Sequence, residues 1–384
     1  MECLAIIPQL PGQFQPLSFL PNGNGTMPEL TKRFRRIILP LKLFSRRLIF
    51  MNLSIGRMPH GARNLITDVP GVRVGHCTVD GAICHTGVTV VLPPCPNPYT
   101  EKPTAASCVF NGYGKTLGLV QVDELGTLET PIALTSTLNV GRVHDALVSY
   151  MVDLCRADGI RLTSVNPVVC ECNDSRLSDI ARRPVGEAEV LEAIRTASAD
   201  FAQGAVGAGR GTVCYGMKGG IGSSSRLMEI DGQTFTMGVL VQSNYGASAD
   251  FRSACLPEGL SPCDQGSIIL IVATDLPLSA RQLRRVLRRT SVGMARLGSY
   301  IGHGSGEIAV GFTTASKTPA GDSFCTQRVL REDCMNVPFR AVGECAEEAI
   351  LQSMLHAGAD TALDGTPIPS LQEFLQEQKT KSSL

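Results

Sequence analysis

The chain reads as a layered α/β protein. Three observations carry that reading. Short apolar runs of strand length alternate with stretches of helical periodicity. Hydrophobic residues make up 43% and charged residues 18%, enough for a sizeable core and too apolar for wholesale disorder. There are 39 glycines and no tryptophan, which favours tight turns and close backbone approaches over long helices.

The elements follow in chain order. Residues 88–92 (VTVVL) form a buried strand, and 140–155 have helical spacing. A second helix is expected over 187–201, with Val190, Leu191, Ile194 and Ala197 on one face. Residues 239–241, 268–272 (IILIV) and 308–312 (IAVGF) read as strands buried on both faces. Between the last two, 279–297 is expected as one helix: Ser279 caps it, Leu283, Leu287, Met294 and Leu297 form its stripe, and Gly298 ends it. Arg281, Arg284, Arg285, Arg288 and Arg289 cover its other face as a solvated surface. A final helix is expected over 344–356. Residues 250–265, with Pro257, Gly259 and Pro262, read as an exposed loop, and 380–384 as a frayed end.

Charge excludes some functions. The 35 basic and 35 acidic residues cancel, which argues against a dedicated nucleic-acid partner. The balance is uneven: residues 1–50 hold seven basic and two acidic residues. With six prolines, this stretch is expected to be a disordered N-terminal extension to a single catalytic domain over 51–384. No apolar run reaches the ~18 residues of a membrane span, and no secretory signal is read. The fourteen cysteines are irregularly spaced without a C-x-x-C pair, so free thiols and a cytoplasmic location are expected. An organellar address within 1–50 stays open. No metal and no cofactor is expected.

Familiar motifs fail. Residues 204–209 (GAVGAG) lack the opening of a dinucleotide loop, and Gly114-Lys115-Thr116 lacks the upstream glycine of a phosphate loop. His303 lies too near Ser305 in sequence to pair with it readily. What remains is Gly266-Ser267, where a turn-rich stretch runs into a buried strand. Scission there would make Ser267 an N-terminus, with its hydroxyl beside an α-amine of pKa near ~7.7–8.0 that can act as a base.

Nine ordered blocks give this pair a context. They are 64–76 (NLITDVPGVRVGH), 87–93 (GVTVVLP), 110–119 (FNGYGKTLGL), 126–141 (GTLETPIALTSTLNVG), 167–174 (PVVCECND), 218–226 (KGGIGSSSR), 239–246 (VLVQSNYG), 266–275 (GSIILIVATD) and 304–312 (GSGEIAVGF). With them the chain resembles the self-processing serine aminopeptidases, which include the L-aminopeptidase/D-amidases and the β-peptidyl aminopeptidases. The similarity covers roughly residues 55–360.

The resemblance implies an αββα sandwich like that of the N-terminal-nucleophile hydrolases, with different strand connectivity. It implies self-cleavage between Gly266 and Ser267 into 1–266 and 267–384, which stay associated, and a homo-oligomer of such units. Ser267 would be the nucleophile, Ser305 and Glu307 its supports, and Asn244 the oxyanion donor. Glu171 would meet the substrate's free amine. Asn173 stands where some members carry a tyrosine, which leaves substrate preference open. The implied reaction removes N-terminal residues, β-amino acids or small L- or D-amino acids, from small peptides, amides or esters through an acyl-enzyme. Two other readings are an acyl transferase of the ornithine acetyltransferase kind, which would use threonine, and an unprocessed scaffold. The block 218–226 is expected as a loop over the site or a structural turn.

Overall fold

The computed structural model describes residues 55–251, 265–319 and 323–381. The extension 1–50, most of the loop 250–265 and the last residues of the tail lie outside the described residues.

The strands and helices run in this order. β1 (Arg73–Asp80), β2 (His85–Leu92) and β3 (Glu101–Gly112) come first, then α1 (Leu119–Leu125), β4 (Ile132–Ser136), α2 (Val140–Ala157), β5 (Val168–Cys172) and α3 (Glu187–Arg195). The short β6 (Val213–Cys214) and β7 (Met217–Lys218) precede β8 (Gly220–Ile230), β9 (Gln233–Asn244) and β10 (Gln265–Thr274). Then follow α4 (Ala280–Leu287), α5 (Thr290–Arg296), β11 (Gly304–Pro319), α6 (Asn336–Leu355), β12 (Asp360–Thr361), β13 (Pro367–Ile368) and α7 (Leu371–Lys381).

Two large sheets stack face to face. One has the order β1-β2-β4-β5 and the other β3-β11-β10-β9-β8. Both are mixed: β4 runs parallel to β5, and β10 parallel to β11, while their other pairings are antiparallel. The alternation of side chains along β10 shows why the layers form. Ile269, Ile271 and Ala273 enter the core between the sheets, beside Leu134, Cys170 and Phe312. Ile268, Leu270 and Val272 enter the core on the other side, against Leu283, Val286 and Ile350 of α4 and α6. A strand with both faces covered needs a continuous apolar run, and IILIV supplies it. The outer face of the first sheet, with Val88, Val90 and Val169, packs against Val143, Leu147 and Val190 of α2 and α3. The order helix, sheet, sheet, helix is the expected αββα sandwich.

Several expected bounds change. The expected helix over 279–297 is two, α4 and α5. Ser279 Oγ caps the first by accepting from the Gln282 N–H at 3.2 Å. The helix then breaks where Thr290 and Ser291 hydroxyls donate back to the carbonyls of Leu287 and Arg288, each at 2.8 Å. The break lets Gly293 lie against α6, where an added Cβ would stand 2.5 Å from the Glu347 nitrogen. α3 stops at Arg195 instead of running on to 201, because Ser198 leaves to pair with Val74 of β1. α6 starts eight residues before the expected 344; Pro338 sits in its first turn, where no backbone donor is needed. Three of the five arginines of the expected arginine face are paired to acids: Arg281 and Arg285 meet Glu332, and Arg284 meets Asp123 at 2.7 Å.

The block 218–226 is neither a loop over the site nor a turn. Met217–Lys218 and Gly220–Ile230 are strands, and the second is an edge strand covered by α6. Its small residues allow that cover: a Cβ on Gly222 would collide with the Ala349 carbonyl. The serines satisfy themselves in place. Ser223 Oγ donates to Val239 O and Ser224 Oγ to Cys345 O, both at 2.7 Å. At the end of the block Arg226 is fully buried, its guanidinium 3.3 Å from Glu344 and 2.5 Å from Glu348 of α6. Burying three charges is tolerable only while all are paired. Arg226→Met would leave Glu344 with only the Arg57 and Met58 N–H donors and Glu348 with Asn64 and His60, and it is expected to cost about 3–5 kcal/mol, read as a lowered urea midpoint.

Candidate active site

The site forms where β10 begins. Gly266 has φ +134°, a backbone conformation that side chains rarely adopt, and a Cβ there would collide with the carbonyl oxygen of Asn244. Only glycine therefore lets β10 pair this closely with β9. The next residue, Ser267, stands directly opposite Asn244 in the antiparallel register. Its side chain shares the inward face of Ile269 and Ile271.

Asn244 closes β9. Its Oδ1 accepts from the Val213 N–H at 2.9 Å. The amide oxygen is thereby occupied, and the NH2 group is the side left to donate elsewhere. Ser267 and Asn244 both line a cavity of about 570 Å3.

On the other side of β10 lies β11, in parallel register. Gly266 pairs with Ser305 and Ile268 with Glu307. Ser305 and Glu307 are fully buried and do not line the cavity. They share the face of Ala309, toward the α4–α6 helices, whereas the Ser267 side chain points toward the other sheet. The pair thus flanks the backbone around Gly266–Ser267 and not the Ser267 hydroxyl. His303 is exposed, with its ring beside that of Tyr113.

The hydroxyls of Ser267 and Ser305 are buried and make no hydrogen bond among the described residues. Other buried serines do, Ser223, Ser224 and the Ser243–Ser353 pair at 2.6 Å among them. An unsatisfied buried hydroxyl is costly, and these two lie on neighbouring strands.

The opposing sheet brings the anion. Glu171, on β5, is buried and lines the same cavity. One oxygen accepts from the Lys115 N–H at 2.9 Å and the other from the Thr137 hydroxyl. Burial pushes the Glu171 carboxyl above its ordinary range, and these two donors pull it back in part. Asn173 is exposed at the rim, its Oδ1 taken by the Ser175 N–H at 3.0 Å. Between them, Cys172 points across the sheets and donates its thiol to the carbonyl of Ser267 at 3.4 Å. Burial holds that thiol well above its ordinary range, so it stays a donor. Behind Asn173, burial raises Asp174 to about 7 and lowers Lys218 to about 7. Lys218 Nζ donates to the carbonyls of Gly209, Thr212 and Gly219. Among the described residues no three His, Cys, Asp or Glu side chains converge as metal ligands.

Sequence reasoning missed Thr137, Lys115, Cys172 and Arg176 as parts of this neighbourhood. Lys115 sits in the rejected phosphate-loop match, and its glycines serve a different end. Gly114 passes within 3.0 Å of where a Cβ of Gly306 would lie, which seats the loop on the end of β11.

The arrangement can present a serine hydroxyl, an amide donor and a carboxylate to one small molecule. Known proteins resemble the chain over most of its length. The sequence pattern of peptidase family S58 matches residues 64–368. The chain is 33% identical over 378 residues to the beta-peptidyl aminopeptidase BapA of Sphingosinicella xenopeptidilytica, covering 90% of this chain and 93% of that one. The solved beta-aminopeptidase of a Burkholderia species is 36% identical with a TM-score of 0.80, over 88% of this chain and 99% of that one. The L-aminopeptidase D-Ala-esterase/amidase of Ochrobactrum anthropi, described as a prototype of the serine aminopeptidases and a variant of the Ntn-hydrolase fold, is 30% identical with a TM-score of 0.78, over 85% and 96% of the two chains.

Thr137→Val removes a hydrogen bond that favours the charged form of Glu171. The Glu171 pKa is expected to rise further, as read by carbon-detected NMR titration of that carboxyl. An unchanged or lowered value would count against the contact.

Proposed function

This chain belongs to peptidase family S58 and is a serine aminopeptidase, and on that premise we propose that Ser267 is its nucleophile, freed when the chain cuts its own Gly266–Ser267 bond. The observation that carries this is the Ser267 hydroxyl: buried without a partner, one residue after a glycine held at positive φ, and opposite a side-chain amide.

The steps follow from that placement. Ser267 Oγ attacks the carbonyl carbon of Gly266 and gives up its proton. The C–N bond to Ser267 breaks, its nitrogen takes a proton, and an ester joins Gly266 to Oγ. Water then hydrolyses the ester, which leaves a carboxylate on Gly266 and a free hydroxyl and α-amine on Ser267. The new amine, with a pKa near ~7.7–8.0, then serves as the base for the same hydroxyl in peptide hydrolysis. Ser305 and Glu307 support the amine and the Gly266–Ser267 backbone from the helix-side face. The Asn244 NH2 donates to the oxyanion as it forms, a contribution that typically amounts to about 10²–10³ in rate.

Glu171 receives the substrate ammonium and so selects free N-termini. Asn173 is a rim contact for the residue being released. The relatives' names span β-peptides and L- and D-alanyl derivatives, and we take small peptides, amides or esters as the substrate class. A homo-oligomer of processed units belongs to the same reading. A cytoplasmic, reducing location belongs to the same reading.

Two measurements test this. Intact mass under denaturing conditions is expected to show two chains for the wild type, 1–266 and 267–384, and one for Ser267→Ala; a single wild-type chain would sink the mechanism. The second is the pH profile of kcat/KM. Only charged Glu171 binds the ammonium, so activity rises with pH as Glu171 ionises, at a pH above the ordinary carboxylate range. Glu171→Gln is expected to abolish that limb and lower kcat/KM roughly 10- to 100-fold, mainly through KM.

A further inference from the structure

Two cavity side chains have no part in that reading. Lys115 and Arg176 both line the cavity, and they come from different places. Lys115 lies in the loop after β3, Arg176 in the loop after β5. Their backbones are held. The Lys115 N–H is bound to Glu171 at 2.9 Å, and the Arg176 carbonyl accepts from the Leu363 N–H at 3.0 Å. The Lys115 ammonium lies 5.1 Å from the centre of the Tyr113 ring, itself part of the lining.

Charge makes the placement informative. Among the described residues, neither side chain forms an ion pair within 4 Å, whereas the arginines of α4 find Glu332 and Asp123. Among the described lining residues Glu171 is the only carboxylate, and it is already engaged by two donors. A substrate that brought only an ammonium would meet one anion and two cations. A substrate that also brings an anion matches both ends.

We infer that the cavity takes short peptides as zwitterions, the ammonium at Glu171 and the free C-terminal carboxylate at Lys115 and Arg176. This rests on the assignment of Ser267 and Glu171 above. The volume suits it: about 570 Å3 is within the ~300–1,000 Å3 of small-molecule sites. In a dipeptide the carboxylate belongs to the leaving amino acid. Lys115 and Arg176 therefore assist formation of the acyl-enzyme and have no contact with it once the leaving group departs. Their effect falls on kcat/KM and not on the rate of deacylation.

The test compares processed enzyme on L-alanyl-L-alanine and β-alanyl-L-alanine, each as the free acid and as the C-terminal amide. The acid of the better dipeptide is expected to exceed its amide roughly tenfold in kcat/KM, since charge-assisted pairs of this kind are worth that much. The advantage shrinks as salt is added. In Arg176→Gln, and further in Arg176→Gln with Lys115→Gln, the acid-to-amide ratio falls toward one. Equal rates for acid and amide in the wild type overturn the proposal, as does a ratio that survives the double substitution. Hydrolysis of none of the four peptides counts against the site assignment itself, and the proposal falls with it.

Discussion

The close passage of Gly266 past the Asn244 carbonyl is the constraint on which the site depends. A side chain at 266 would drive β10 from β9, and with it Ser267 from Asn244. On its other edge the start of β10 pairs with β11, which brings Ser305 and Glu307 alongside. The second sheet reaches the site through two further contacts, the Cys172 thiol on the Ser267 carbonyl and Glu171 at the cavity wall. One glycine thus sets the spacing of Ser267 and Asn244, and the face-to-face stacking of the sheets adds Glu171.

How much of this could be read from the chain depends on what each segment packs against. IILIV and IAVGF are covered on both faces and announce themselves as apolar runs. β3 and β8 do not, because proline, glycine and serine interrupt them. In β8 the small side chains are the signature of a helix lying close, which periodicity cannot reveal. The α4–α5 break has the same origin: the apolar stripe is continuous, and hydroxyl back-bonding with the contact at Gly293 decides the bend. At the site, Gly266-Ser267 was suggestive from chemistry alone. Glu171 and Asn244 were visible only through family resemblance, since a strand carboxylate and a turn amide look ordinary until tertiary structure joins them. Two-residue spacing correctly put Ser305 and Glu307 on one face, but only the sheet register says which face.

The wall behind the cavity is polar in an unusual way. Asp174 and Lys218 are buried together there, and burial moves each toward its neutral form. Lys218 Nζ donates hydrogen bonds to three carbonyls and so ties the 209–219 segment into one piece. That segment includes Val213, whose N–H orients Asn244. The amide is therefore aimed by a backbone N–H and not by a flexible side chain, which suits the oxyanion role proposed for it.

The strand order of the second sheet has a consequence for the life of the molecule. β10 and β11 sit between β3 on one side and β9 and β8 on the other, and Arg226 of β8 clasps two acids of α6. A chain severed ahead of Ser267 keeps its later strands threaded between its earlier ones, so the fragments cannot part without dissolving the sheet. Melting then becomes a one-way event: the halves that separate hold no covalent memory of one another, and renaturation turns into a second-order encounter that dilution defeats. Under the proposed self-cleavage, longevity is governed by the height of the unfolding barrier, and each copy has a single opportunity to fold correctly, before the cut.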